Sequence, residues 1–226
     1  MELIYRARRP RVLQGRPPLL VLLHGVRGNE LGMEAIAEAM DPRFLALSVR
    51  GPYQSGPEAY RWFDVRFAAN EILIDSAEAE SSRRALLQFI NDAVMGFGAD
   101  PRRVYLLGFS QGATLAWSLA LTAPQRLRGV VGIAGRVLPE VAPFAAPAEA
   151  LRHLTVLIQH GQRDPVVDPA RGRATRDLFA ELGLMLGYRE YDAAHEFSPA
   201  MLLDAQIFLS AQIDRLGGNI DITVEH

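Results

Sequence analysis

Ser110 is the residue whose surroundings point most directly to chemistry. It is the centre of the pentapeptide GFSQG (residues 108–112), which follows an apolar run at 104–107 and precedes a helix-favouring stretch. A serine between glycines at a strand-to-helix turn is typical of a nucleophile elbow, whose sharp turn tolerates only small neighbours. The pattern G-x-S-x-G alone occurs by chance in many chains, and the alternative is a glycine turn with an inert serine. The flanking strand and helix patterns favour a nucleophile.

A serine hydroxyl needs a base to remove its proton, and His195 is the histidine best placed for that role. The chain has five histidines. His195 follows the last predicted strand and precedes the last predicted helix, which is where the chain order of serine, acid and histidine places the base. The alternative is a surface histidine without a role. His24 and His160 instead stand directly before glycines at the ends of predicted strands.

The base in turn needs a carboxylate, and two aspartates follow the preceding predicted strand. Asp164 comes just after that strand, with Pro165 fixing the turn, so its carboxylate can reach an imidazole on the next loop. Asp168 precedes Pro169, and this order is typical of a helix N-cap. We therefore assign the acid to Asp164 and the cap to Asp168.

An acyl-transfer site also needs N–H donors for the oxyanion that forms when the serine attacks a carbonyl. One donor is the backbone N–H after the nucleophile, here that of Gln111. The second comes from the loop after an early strand, and the glycines at 25 and 28 let that loop turn inward so that the Val26 N–H faces the elbow. An ordinary glycine turn is the alternative for this loop.

The elements that position these residues alternate along the chain. Apolar, β-rich runs at 19–23, 44–49, 104–107, 130–134, 154–159 and 185–191 predict strands, and segments at 78–97, 110–123, from Pro169 toward Gly183 and from Pro199 to 217–218 predict helices. This alternation predicts a doubly wound, mostly parallel sheet with helices on both faces. Reactive groups are then expected at the carboxyl ends of the strands. Segments 51–75 and 139–147, rich in glycine, proline, alanine or aromatic residues, are predicted to be loops.

Composition narrows the class of protein further. The 226 residues, 49% of them hydrophobic, fit one domain over residues 1–226 whose core is large enough to need no disulfides or metal ions for stability. Cysteine and lysine are absent, which excludes disulfides, thiolate metal sites and lysine chemistry. A net charge of −2 predicts no nucleic-acid partner. The apolar run at 19–23 is too short for a signal-peptide core or a membrane span, so we expect no stable membrane insertion and a cytoplasmic protein.

These motifs together resemble the phospholipase/carboxylesterase family of α/β-hydrolases, which includes the acyl-protein thioesterases. The resemblance rests on Leu-Leu-His-Gly at 22–25, Arg-Gly-Pro at 50–52, Trp-Phe-Asp at 62–64, Gly-Phe-Ser-Gln-Gly-Ala at 108–113, His-Gly-Gln-Arg-Asp-Pro-Val-Val at 160–167 and His195. It implies the α/β-hydrolase fold without a separate cap domain. It assigns Ser110, Asp164 and His195 as the triad and Val26 and Gln111 as oxyanion-hole donors, with neither cofactor nor metal.

The chain departs from the family pattern at two positions. Ala194 stands before the histidine where glycine is common, and its methyl group is expected to narrow the approach to the base. Arg27 follows Val26 where a small residue is usual, and it either binds an anionic group of the substrate or points into solvent. The aromatic residues Trp62, Phe63 and Phe67 either line the acyl groove or pack their loop against the sheet.

The expected function is therefore a serine hydrolase that cleaves carboxyl esters or thioesters of short-to-medium acyl groups through an acyl-enzyme. Within the family, the alternative is an activity like that of an acyl-protein thioesterase or a lysophospholipase, and a peptidase on the same fold is another. A catalytically idle binding protein is the alternative from a different class. The sequence leaves the natural substrate and the oligomeric state open, a homodimer included.

Overall fold

The computed structural model describes residues 2–13, 15–68 and 71–217, with the backbone alone at 67–68, 71–72 and 216–217. The strands in these ranges are β1 (Tyr5–Arg8), β2 (Leu19–Leu23), β3 (Leu45–Val49), β4 (Tyr53–Gly56), β5 (Ala59–Arg61), β6 (Val65–Ala68), β7 (Glu71–Ile74), β8 (Val104–Phe109), β9 (Gly129–Ile133), β10 (Thr155–Gly161) and β11 (Met185–Tyr191). The helices are α1 (Glu34–Ala39), α2 (Ser76–Phe97), α3 (Gln111–Thr122), α4 (Ala148–Leu151), α5 (Pro169–Glu181) and α6 (Pro199–Gly217). None of these helices is long and apolar enough to cross a membrane.

The central sheet has seven strands in the order β1-β3-β2-β8-β9-β10-β11. β1 pairs antiparallel with β3, and the other neighbouring strands are parallel. The parallel strands β2, β3, β9 and β10 are buried on both faces, which explains why their sequences are largely apolar, whereas β11 at the edge is partly exposed. The predicted doubly wound, mostly parallel sheet is confirmed.

Helices cover both faces of this sheet because successive side chains of a strand point to opposite sides. Leu19 and Val21 of β2 pack under α2, α3 and α5, in a core that contains Trp117 and Phe179. Leu20 and Leu22 point the other way and pack under α1 and α6. The two cores hold the sheet between its helix layers, and the carboxyl ends of the parallel strands β2, β8, β10 and β11 lie at the same edge of it.

The prediction that segment 51–75 is a loop is wrong, because the segment contains two hairpins. β4 pairs with β5, and β6 pairs with β7, in separate two-stranded sheets. The strands of the first hairpin, YQSG and AYR, lack the regular alternation that marks a half-buried strand, and a long-range contact holds them: Tyr60 pairs with Gly28. β1 and α1 were not predicted either. Segment 139–147 contains no strand, only a 3₁₀ turn at Ala142–Phe144.

Candidate active site

The elbow at Ser110 has the backbone that a strand-to-helix turn requires. β8 ends at Phe109, α3 begins at Gln111, and Ser110 between them has φ 52° and ψ −114°. A Cβ on Gly108 would collide with the carbonyl of Gly112, and one on Gly112 would collide with the Leu23 carbonyl. The flanking glycines are therefore sterically required, and the serine is held in a strained conformation of the kind that clusters at functional sites.

His195 connects Ser110 to Asp164. Its Nε2 lies 2.9 Å from Ser110 Oγ, and its Nδ1 lies 2.7 Å from Asp164 Oδ2. The Asp164 side chain is fully buried, whereas 15% of the His195 side chain is exposed. This arrangement can transfer a proton from the hydroxyl to the imidazole while the buried carboxylate fixes the tautomer that does so.

Asp164 is held by hydrogen bonds from its own loop. Its Oδ1 accepts from the N–H groups of Val166 and Val167 at 2.8 and 2.9 Å. His160 Nε2 lies 2.8 Å from the Val167 carbonyl and 3.4 Å from Asp164 Oδ2, so this buried ring supports the same loop. Asp168 accepts from the Ala170 N–H and caps α5, as predicted. Asp164, and not Asp168, faces the histidine.

The loop that carries His195 packs tightly against the end of β10 and against Phe109. A Cβ on Gly161 would collide with the Ala194 carbonyl, which explains the glycine at that position. The Phe109 ring lies 5.0 Å from the His195 ring, centroid to centroid, and limits its rotation. The Ala194 side chain is exposed and does not line the cavity beside Ser110.

His24, whose role the sequence left open, holds the loop proposed for the oxyanion hole. Its Nε2 accepts from the Gly51 N–H at 2.8 Å, and its Nδ1 lies 2.7 Å from the Gly25 carbonyl. Burial lowers the pKa of His24, so the ring is neutral and carries its proton on Nδ1. Arg27, with φ 64°, turns the chain just beyond Val26. The Arg27 side chain is exposed and does not line the cavity.

The Gln111 side chain has a structural role that sequence reasoning missed. Its Oε1 accepts from the Trp62 N–H at 2.7 Å, and its Nε2 donates to the Phe63 carbonyl at 2.8 Å. The Trp62 indole N–H donates to the His24 carbonyl at 2.9 Å, and the side chain is fully buried. Residues 62–63 therefore join the elbow to the end of β2. The Trp-Phe-Asp motif marks residues 62–64 in the sequence, but it does not indicate that they bind the Gln111 side chain.

A cavity of about 120 Å³ opens beside the nucleophile. It is lined by Val26, Phe63, Val65, Ile74, Ser110, Gln111, Thr114, Arg136, Leu138, Val166 and Val167. A second cavity of about 580 Å³ shares Ile74 and Leu138 with it. Phe63 thus lines the site, Trp62 lies behind it, and the Phe67 side chain falls outside the described residues. The described residues contain no cluster of three or more acidic or histidine side chains placed to hold a metal.

Comparison with known proteins identifies the family. A family model described as phospholipase/carboxylesterase matches residues 14–213. The chain belongs to the phospholipase/carboxylesterase family. It is an esterase-type hydrolase, of the class that cleaves ester bonds. Acyl-protein thioesterase 1 of Gibberella zeae is 28% identical over 67% of this chain and 68% of its own length. Esterase YpfH of Escherichia coli is 29% identical over 73% of this chain and 69% of its own length.

Solved structures of two esterases share the fold. Esterase PE8 superposes with a TM-score of 0.82 at 23% identity, covering 93% of this chain and 99% of that one. The Bacillus cereus carboxylesterase superposes with a TM-score of 0.79 at 23% identity, covering 93% and 94%. The expected α/β-hydrolase fold is therefore confirmed.

Proposed function

We propose that the chain is a serine esterase that works through an acyl-enzyme on Ser110. The supporting observation is the continuous hydrogen-bonded path from Ser110 Oγ through the His195 ring to the buried Asp164 carboxylate, at 2.9 and 2.7 Å. These distances lie within the range in which a base can accept a nucleophile's proton. A catalytically idle binding protein would have no need to maintain this path or the strain at Ser110.

In the first half-reaction, Ser110 Oγ forms a bond to the substrate's carbonyl carbon as its proton passes to His195 Nε2. The oxyanion accepts hydrogen bonds from the N–H groups of Val26 and Gln111, two residues that line the same cavity. The C–O or C–S bond to the leaving group then breaks, and the leaving group takes the proton from His195. Asp164 stabilises the imidazolium between these two transfers.

In the second half-reaction, water replaces the leaving group. The oxygen of the water attacks the acyl carbon as His195 accepts a proton from the water. The proton then passes from His195 to Ser110 Oγ, and the carboxylic acid departs. No cofactor takes part in either step.

Partition of the acyl group between water and hydroxylamine tests this mechanism. A common acyl-enzyme predicts one hydroxamate-to-acid ratio for p-nitrophenyl, phenyl and thiophenyl butyrate, since all three give the same intermediate. A ratio that changes with the leaving group would contradict the mechanism. The absence of any turnover in the folded protein would favour the idle binding protein instead.

The acyl group is proposed to be short to medium in length, and the two cavities support this. The cavity beside Ser110 is small and largely apolar, and it borders the larger one at Ile74 and Leu138. The relationship to acyl-protein thioesterases keeps a thioester substrate as the second candidate. Rates on p-nitrophenyl esters from acetate to laurate, measured beside a matched acyl thioester, separate the two. A maximum at or below about eight carbons for the esters is expected.

A further inference from the structure

Arg136 is placed at the nucleophile's cavity by a strained turn after β9. The preceding Ala134 is buried and has φ 53°, an unfavourable conformation for a residue other than glycine. A Cβ on Gly135 would collide with the side chain of Ala113, so the chain lies directly on the first turn of α3. The Arg136 N–H is 3.4 Å from Thr114 Oγ1. The turn thus brings Arg136 beside the helix that begins at the elbow.

The Arg136 guanidinium has no hydrogen bond or ion pair with the residues that the structure describes. It is half-buried, and among the residues that the structure describes it is the only charged one lining the cavity beside Ser110. The other arginines of similar or greater burial in the described ranges each bond to a carboxylate or a carbonyl. These are Arg8, Arg43, Arg50, Arg61, Arg83, Arg103, Arg128 and Arg176.

Among the described residues, no carboxylate forms an ion pair with the Arg136 guanidinium. Burial lowers the pKa of Arg136, and the nearby Arg171 lowers it further by repulsion. Glu140 acts in the opposite direction, but it is exposed and forms no ion pair with Arg136. Partial removal of a cation from water without a partner is unfavourable, and a bound anion would offset that cost.

We infer, building on the proposed esterase function, that Arg136 binds a carboxylate of the substrate, so that the preferred substrates are esters with a second, ionised carboxyl group. A guanidinium fork matches a planar carboxylate with two parallel hydrogen bonds. Ser110 and Arg136 line the same cavity of about 120 Å³, so one short substrate can contact both. The carboxylate belongs either to the acyl part, as in a dicarboxylic acid monoester, or to the leaving group.

The test compares anionic esters with neutral esters of the same size. For the acyl side, the pair is p-nitrophenyl hydrogen glutarate and p-nitrophenyl valerate. For the leaving-group side, the pair is the butyrate esters of 4-hydroxybenzoate and 4-hydroxybenzamide. For one of these pairs, we expect the wild type to show a higher kcat/KM for the anionic member. We expect Arg136→Gln to reduce that preference, measured as the ratio of the two kcat/KM values, by about 10- to 100-fold, and an unchanged ratio would overturn the inference.

Two matched variants and one binding measurement complete the test. Arg152→Gln removes the same charge from an exposed site at the end of α4 and should keep the preference. Arg27→Gln should also keep it. An equal loss in either variant, or no preference in the wild type for either pair, would overturn the inference.

If Arg136→Gln fails to fold, inhibition of the wild type replaces it as the test. Glutarate must then inhibit the hydrolysis of p-nitrophenyl valerate more strongly than glutaramide does, and equal inhibition would overturn the inference. Failure of the esterase proposal would appear separately, as no turnover of the neutral esters.

Discussion

Asp164 makes the most specific contacts of any residue in the candidate triad. One carboxylate oxygen accepts two backbone N–H groups, and the other faces the His195 Nδ1. The first oxygen fixes the side chain, and the second orients the imidazole. Because Asp164 is buried, removing its charge should affect catalysis much more than an equivalent change at an exposed aspartate.

Replacing Asp164 with asparagine tests this division of roles. The amide keeps the shape but favours the wrong tautomer of His195, and such a change typically lowers kcat by about 10⁴-fold. Steady-state hydrolysis of p-nitrophenyl butyrate measures it. Asp168→Asn is the matched control, and its rate should stay within about twofold because asparagine caps a helix as well as aspartate does. A similar loss in both variants would mean that Asp164 is not the acid.

At the scale of single residues, chain order and residue type were enough to propose Ser110, Asp164, His195, Val26 and Gln111. Each has a signature in a short motif or at a strand end. The roles of His24 and of the Gln111 side chain had no such signature, because they depend on partners 27 or more residues away in the chain. Arg136 also lacked one, since its place at the cavity depends on the turn at Ala134 and on Thr114, which is 22 residues away in the chain.

At the scale of elements, the buried strands were the most predictable part of the fold. The bounds of β2 match the predicted run at 19–23, because a continuous apolar run between turn signals has few other interpretations. The bounds of the partly exposed β11 also match the predicted run at 185–191. The hairpins in segment 51–75 were missed since their stability comes from the rest of the molecule. One of their attachments is the pair of hydrogen bonds between Gln111 and residues 62–63.

Gln111→Ala measures what this attachment contributes. The variant keeps the Gln111 N–H but leaves the Trp62 N–H and the Phe63 carbonyl unpaired, and each costs about 1–3 kcal/mol when buried. We expect the free energy of unfolding to fall by about 2–4 kcal/mol and kcat to fall with it. Urea unfolding and ester turnover provide the measurements. Gln88→Ala, at an exposed glutamine of α2, should change stability by less than about 0.5 kcal/mol. Equal stability of the two variants would contradict the role given to Gln111.

At the scale of the whole molecule, an ion-pair cluster joins the start of β3 to the last helix. Arg43 bonds to Asp41 at 2.7 Å and to Asp214 of α6 at 2.6 Å. The hydrogen bond from Arg43 lowers the pKa of Asp41 to about 2, from an ordinary value of 3.8. Because the folded-state pKa is the lower one, this stabilisation is complete above about pH 4 and is lost as the pH falls through about 2.

Asp41→Asn should therefore destabilise the protein in a pH-dependent way. Near pH 7 we expect the free energy of unfolding to be lower by about 2 kcal/mol, and the difference should shrink steadily below about pH 4. Urea unfolding of both proteins at several pH values measures this. Asp92→Asn, at an exposed carboxylate of α2, provides the control. A difference that stays constant down to about pH 2 would show that lost packing, and not the ion pair, is responsible.

The central claim is that Ser110 is the nucleophile, and intact-protein mass spectrometry after fluorophosphonate treatment tests it most directly. We expect one phosphonyl group per chain, located on Ser110, with esterase activity lost in proportion to labelling. Ser110→Ala should unfold at the same urea concentration as the wild type and should acquire no label. Labelling at another residue, or full ester turnover by Ser110→Ala, would contradict the claim.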